Sequence, residues 1–455
     1  MSQISAERNE PVRLWHSIPA MAETGIVLLL LFLFSEALLG PLLASEEEPD
    51  GNPILRIMWL PVYGVVIGLG LLQARKFISM SWQMPFLVAL LVLTAASVFW
   101  SIDQALTMRR MIAAGMTTVF GLHLASRYNW RELLTLFGLI WFFLGCLSYV
   151  VSVGMPALGL EQEGDHIGAW RGLWFQKNTL GGHAARSSFL FAFLLLTGTD
   201  LRRLWIAGLV LSIGLVLLST SKTSLLGLMI GFLILGLGTL MKRGARLALV
   251  LAWFAITLGS LIVALVVFQP ELVLQILGRD ATLTGRTDIW AALAHVIAER
   301  PWLGHGYGAF WAPGSAEAEF VREQVQWAAP TAHNGWLETW LSVGLIGLAI
   351  FTLSFITTIG RAISAAFTGW NGIFALGFLA QFFLFSLSES SILQQNSIVW
   401  LSYASVSAIL MRQRGQRRGL NEALSVRRQR ELAPIRQRAR ADREVLSACE
   451  SSAKV

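Results

Sequence analysis

Long apolar runs recur through the first 410 residues, separated by short polar breaks, and each run reads as a helix. A helix crosses roughly 30 Å of hydrocarbon with about 20 residues. It also satisfies its own backbone hydrogen bonds, which lipid cannot do. About twelve runs reach or approach that length: 24–44, 54–73, 83–100, 107–125, 132–154, 184–199, 203–219, 223–241, 246–268, 335–359, 371–388 and 393–410. The pattern predicts an all-α polytopic membrane protein. Two connectors are too long for plain turns, 155–183 and 269–334, and a connector as long as the second is expected to have a role. Within it, TDIWAALAHVIAER (287–300) predicts a short amphipathic helix, with Thr287 or Asp288 at its start and Pro301 at its end. LGHGYGAFW (303–311) predicts an irregular turn, and a second polar helix is expected over 315–328. This loop has too few apolar residues for its own core, so it is expected to fold onto the bundle.

Charge orients the pattern. Arg8 and Arg13, Arg75 and Lys76, Arg127 and Arg131, Arg202 and Arg203, Lys242 with Arg243 and Arg246, and Arg361 all fall in alternate connectors. The tail, 411–455, holds 12 Lys or Arg against 5 Asp or Glu, a net of +7. The whole chain is also +7, so everything before the tail is neutral. By the positive-inside rule these segments face the cytoplasm, and the acidic stretch 45–50 faces outward. The expected organisation is a cytoplasmic segment at 1–23, a transmembrane domain at 24–410 with an external loop at 269–334, and a basic cytoplasmic tail at 411–455. That tail suits water or anionic lipid. The first span has no small-residue cleavage site and reads as retained.

Composition agrees: 55% apolar residues, 14% charged residues and a mean hydropathy of +0.60 exclude an ordinary soluble domain. Trp59, Trp82, Trp100, Trp130, Trp205 and Trp370 sit near span ends, as an interfacial belt would. Cys146 lies in a span and Cys449 in the tail, so no disulfide is expected. No Cys/His cluster has metal-ligand spacing and no phosphate-binding glycine motif occurs, so neither a metal nor another cofactor is expected.

With the spans oriented, several cations fall on the outer side: Arg109 and Arg110, Arg171 and Lys177, Lys222, and Arg279, Arg286, Arg300 and Arg322. Lys and Arg are disfavoured there. An anionic ligand would account for them, because guanidinium forks bind phosphate oxygens bidentately and ammonium groups act as point charges. His123, His166, His183, His295 and His305 show no partner pattern and read as structural. His333 differs. It ends the long loop and opens a span in TAHNGWLETWLSVGLIGL (331–348). An imidazole at that boundary can take a proton from a hydroxyl near neutral pH. Asn334 is placed to cap the helix, and Glu338 lies to one side of His333.

HNGWLETWLSVGLIGL resembles the signature of the O-antigen ligase, O-antigen polymerase and exopolysaccharide polymerase superfamily. Four further segments are similar to the family's motifs in order: SVFWSIDQALTMRR (97–110), RGLWFQKNTLGG (171–182), LLSTSKTSLLGL (217–228) and LTGRTDIWAALAHVIAERPWLGHGYGAF (283–310). The resemblance covers roughly 97–348, lies nearest the exopolysaccharide polymerase branch, and implies a GT-C-like membrane fold. It also implies metal-free glycan transfer from a polyprenyl-diphosphate donor to a sugar hydroxyl, at the periplasmic face of the bacterial inner membrane. On that basis His333 is expected to be the catalytic base, with Arg286 on the diphosphate and Lys222 where ligases commonly carry arginine. Arg109, Arg110, Arg171, Lys177, Asn334 and Glu338 are expected to bind substrate. The expected partners are a polyprenyl-diphosphate-linked oligosaccharide, membrane lipid, a chain-length regulator and a flippase, with no nucleic acid. The alternatives are a ligase moving glycan to lipid A core or protein, a small-anion transporter, and a nonenzymatic assembly subunit. A transport path would place charges in several spans, and Glu36 is the main such charge noted.

Overall fold

The computed structural model describes residues 14–43, 52–162, 166–198, 200–242, 286–326 and 328–413, with residue 415 and a few positions between 244 and 257. For 286 and 287 only the backbone is described. Arg8, Arg13, the acidic stretch 45–50, Arg243, Arg246, most of the expected span 246–268, Arg279, and the tail beyond 415 with Cys449 lie outside the described residues.

The described chain is helical: α1 (Ile18–Phe34), α2 (Pro53–Leu72), α3 (Ala74–Trp82), α4 (Pro85–Ala96), α5 (Gln104–Arg127), α6 (Trp130–Gly154), α7 (Lys177–Thr197), α8 (Arg202–Leu218), α9 (Lys222–Met241), α10 (Arg286–Glu299), α11 (Ala316–Val325), α12 (Gly335–Ala366), α13 (Trp370–Ser386), and α14 over 398–413. Among the described residues extended pairing is limited to one isolated bridge, Leu160 with Trp170. Among the described residues five helices, α2, α6, α7, α9 and α12, are long and apolar enough to cross a membrane, and six spans result if the bent pair α3–α4 counts as one. The chain is therefore a polytopic helical membrane protein.

Several runs break where the residue pattern gives no warning. The run 24–44 stops as a helix at Phe34, because Glu36 and Leu38 turn to positive φ (55° and 64°) and Leu38 N–H donates to Leu173 O at 2.8 Å. The run 83–100 follows a 97° bend from α3. The run 393–410 becomes helical only from 398, after positive φ at Leu393 and Asn396. In the opposite sense, α7 begins at Lys177, seven residues before the expected 184. The run 184–199 is short for a span and allows a start near Thr179; the helix begins two residues before that, and its polar first turns are buried among other helices. A Cβ on Gly181 would lie 2.4 Å from Ser224 Oγ on α9, so that close approach needs a glycine.

The loop between α10 and α12 is built into the bundle. Ile289, Leu293 and Val296 of α10 and Val321 of α11 form a small core with Phe310, Ala332 and Leu341 of α12. Helix α12 is interrupted at Gly344 (φ 70°, ψ −175°), and main chain from the loop fills the gap. Leu345 N–H donates to Pro301 O at 2.8 Å and Ile346 N–H to Trp302 O at 3.3 Å. In return His305 N–H donates to Leu341 O at 2.8 Å and Gly306 N–H to Ser342 O at 3.1 Å. The same loop is tied to the start of α5: Tyr307 N–H donates to Ser97 Oγ at 3.0 Å, and Thr107 Oγ1 donates to Tyr307 O at 3.0 Å. His305 is fully buried, and burial holds its imidazole below the ordinary range, which suits a structural neutral ring.

Gly344 is therefore the test of this joint. A Cβ there would stand 2.0 Å from Trp302 O, in a conformation that L side chains rarely adopt. Gly344→Ala is expected to cost at least ~1–3 kcal/mol from backbone strain alone, lowering the unfolding temperature of detergent-purified protein. Gly236→Ala, with open space around the added methyl, should be neutral or slightly stabilising. Equal unfolding temperatures for the two variants would contradict the broken-helix joint.

Candidate functional site

One end of the bundle collects the C-terminal ends of α1 and α13 and the N-terminal ends of α2, α5, α7 and α12. Together with residues 389–399 they enclose a cavity of about 670 Å³. Among the described residues four arginines line it, Arg56, Arg109, Arg110 and Arg186, together with Glu36, Glu338 and Glu389. His183 and His333 also line it. Apolar side chains line it as well: Ile57 and Leu60 of α2 and Ile112 of α5 are lining residues, and each is exposed. The cavity lining is therefore amphipathic, with cationic and apolar side chains contributed by the same helices, α2 and α5.

His333 is placed by an over-determined turn. It is buried and holds φ at 46°, a conformation costing a non-glycine residue of order 1–3 kcal/mol. Its backbone N–H donates to Thr331 Oγ1 at 3.3 Å. One residue earlier, Ala332 N–H donates to Glu338 Oε2 at 3.0 Å, while Ala332 O accepts from Trp290 Nε1 at 3.0 Å. Glu338 is itself fixed by Trp311 Nε1, 3.1 Å from both carboxylate oxygens. One residue later, Asn334 Oδ1 accepts from Trp336 N–H and Leu337 N–H and caps α12. Asn334 thus serves the helix start, and it is not among the residues that line the cavity.

The other expected site residues divide. Arg109 and Arg110 line the cavity, and Arg110 Nη1 donates to Gly308 O. Arg171 lies off the lining, and its guanidinium donates to the carbonyls of Leu158, Ala157 and Phe175. Lys177 is buried off the lining, with Nζ 3.4 Å from Thr220 Oγ1. Lys222 is exposed in the first turn of α9, also off the lining. Arg286 opens α10, and its side chain lies outside the described residues. Arg322 pairs with Glu319 at 2.8 Å and sits over the Trp311 ring, which stabilises the loop.

Sequence reasoning missed Arg186, Glu389 and Arg56, and took His183 as structural. Arg186 did carry a signal, as the one cation in the apolar stretch AARSSFLFAFLLL (184–196). A charge at a span centre costs ~2.5–3.5 kcal/mol on insertion scales and usually marks function. His183 is held between the Trp141 and Trp174 rings, with centroids at 4.7 and 4.6 Å. Glu389 follows α13 in a polar turn, and nothing in its immediate sequence announces that position.

Comparison with known proteins bears on the same region. Residues 207–352 match the family described as O-Antigen ligase. The exopolysaccharide production protein ExoQ of Rhizobium meliloti (strain 1021) is 28% identical over 315 residues, covering 66% of this chain and 69% of that protein. The matched family segment contains Lys222, Arg286, His333 and Glu338. These matches support the family resemblance read from the motifs, on its exopolysaccharide side.

Glu338 is the brace of the His333 turn, and that can be tested alone. Glu338→Gln keeps one oxygen that can accept from both Trp311 Nε1 and Ala332 N–H, as Glu338 Oε2 does, but it sets an NH2 donor against Trp311 Nε1 where Oε1 accepted and removes the charge that strengthens both bonds. Stability should fall by about 1–3 kcal/mol, read by thermal unfolding in detergent. An unchanged unfolding temperature would remove Glu338 as the brace.

Proposed function

For a chain that carries an O-antigen ligase domain and is similar to an exopolysaccharide production protein, we propose polymerisation of polyprenyl-diphosphate-linked oligosaccharide repeat units into exopolysaccharide. The reaction takes place at the periplasmic face of the bacterial inner membrane, and the protein acts as a metal-independent glycosyltransferase. The observation that carries this reading is the joint presence of His333 and four arginine side chains around one amphipathic cavity. A polyprenyl-linked donor has matching chemistry: an anionic diphosphate for the guanidinium groups and a hydrocarbon chain for apolar lining residues such as Ile57, Leu60 and Ile112.

The chemistry follows from those parts. His333 accepts the proton of an acceptor hydroxyl as its oxygen bonds to the donor's anomeric carbon. The bond from that carbon to the diphosphate oxygen breaks, and polyprenyl diphosphate leaves. Attack opposite the leaving group inverts the anomeric centre. Guanidinium groups in a water-poor cavity stabilise the charge growing on the diphosphate. We assign Arg286 a diphosphate contact and Lys222 a supporting charge. Basic groups at the opposite end of the bundle support the proposed orientation with cytoplasmic termini: Arg127 pairs with Glu23, Arg131 with Asp200, and Arg412 donates to Ser126 O and Tyr128 O. The proposed working partners are a flippase supplying the donor and a chain-length regulator. Ligation to lipid A core or protein would use the same cavity with a different acceptor, and the exopolysaccharide relative favours polymerisation. The comparisons lend nothing to a small-anion transporter.

In a purified assay with a polyprenyl-diphosphate-linked donor, His333→Gln should still bind donor, with turnover reduced by about 10²–10⁴. Near-normal turnover would sink the base assignment. Arg286→Ala should abolish polymer at unchanged membrane protein level, and Arg286→Lys should restore only part, because the planar fork is lost. Full polymer from Arg286→Ala would exclude that residue from the mechanism.

A further inference from the structure

Arg186 lies within α7, a helix long and apolar enough to span the membrane, and its side chain lines the cavity. Three neighbours define the surroundings of the guanidinium. Its carbon sits 4.4 Å from the Phe385 ring centroid, so one face is covered. Gly182, one turn earlier, lies beside Nη1, where an added Cβ would make ordinary contact at 3.4 Å. Glu389, in the turn after α13, supplies an opposing charge that acts on Arg186 across the cavity lining. Yet Arg186 Nε is buried and has no hydrogen-bond partner among the described residues. A buried, unfilled donor on a charged group is costly, and such a donor in a cavity points to a ligand. By contrast, Arg171 is spent on carbonyls, and Lys177 and Lys222 lie off the lining.

We infer that Arg186 is a diphosphate-binding residue of this cavity, using its planar N–H fork to grip phosphate oxygens within the membrane span while Glu389 balances the charge of the empty site. This rests on the proposed polyprenyl-diphosphate donor and adds a contact that the sequence motifs do not contain. The fork fits two oxygens of one phosphate group, or one from each of the two phosphates. A plain structural ion pair with Glu389 would leave the Nε donor unused.

The test measures lipid binding, without turnover, by the full-length protein in detergent or nanodiscs. The probes are geranylgeranyl diphosphate, geranylgeranyl monophosphate and geranylgeraniol. Wild type should bind the diphosphate most tightly. The variants are Arg186→Lys and the charge-balanced pair Arg186→Gln with Glu389→Gln, which avoids stranding a buried carboxylate. The paired variant should bind the diphosphate roughly 10- to 100-fold more weakly and geranylgeraniol as wild type does, which also reports an intact cavity. Arg186→Lys should fall between. Wild-type diphosphate affinity in the paired variant would overturn the inference and leave the donor reading standing. Equal binding of diphosphate and alcohol by wild type would overturn the donor reading, and the inference with it.

Discussion

Hydrogen bonds between the loop at 301–306 and the broken helix α12 hold the site together. Irregular backbone at membrane depth survives only where protein satisfies it, and here the loop and the helix satisfy each other. Leu345 and Ile346 donate to Pro301 and Trp302, and His305 and Gly306 donate back to Leu341 and Ser342. The joint lies within about the first three turns of α12, and His333 stands two residues before that helix begins. The joint fixes the loop against the start of α5, where Arg109 and Arg110 stand, and Arg110 is held to Gly308 just after the joint. The proposed base and two cavity cations thus share one mechanical anchor.

Electrostatics then gives the cavity its character. Among the described residues four arginines and three glutamates line one cavity, and Arg186 Nε and Glu389 Oε1 are buried in it. Charge interactions strengthen as the local dielectric falls, so each cation there acts more strongly on a bound anion than it would at a surface. The glutamates limit the repulsion among the cations when no anion is present. Glu338 has a second duty, because its oxygens hold Trp311 and the Ala332 peptide and so shape the turn that carries His333.

Much of this was legible in the residues, and the failures have physical causes. Hydropathy located α6, α8 and α9 to within two or three residues, because their ends coincide with basic or capping residues. It also anticipated the two loop helices, α10 and α11. It failed where burial inside protein replaces burial in lipid. The first turns of α7 are polar and glycine-rich because they pack against α9, so they resembled a loop. Breaks at Glu36, Leu393 and Gly344 depend on contacts distant in sequence, which no local pattern contains. At the site, Arg109, Arg110, His333 and Glu338 were named and do line the cavity. Arg171, Lys177 and Asn334 were named for their motifs, and the structure engages them in main-chain, hydroxyl and capping contacts. Arg186 was hidden by its own apolar neighbours, although a lone cation in a span was the stronger signal.

The central claim is that this cavity consumes a polyprenyl-diphosphate-linked oligosaccharide and makes a longer one. Reconstitution of the purified protein in liposomes with that lipid as the sole sugar source, followed by mass spectrometry of the lipid products, tests it most directly. The account predicts a ladder of lipid-linked glycans growing by whole repeat units, with one polyprenyl diphosphate released per linkage. Unchanged donor after prolonged incubation with folded protein, or transfer only after lipid A core or protein is added, would contradict it.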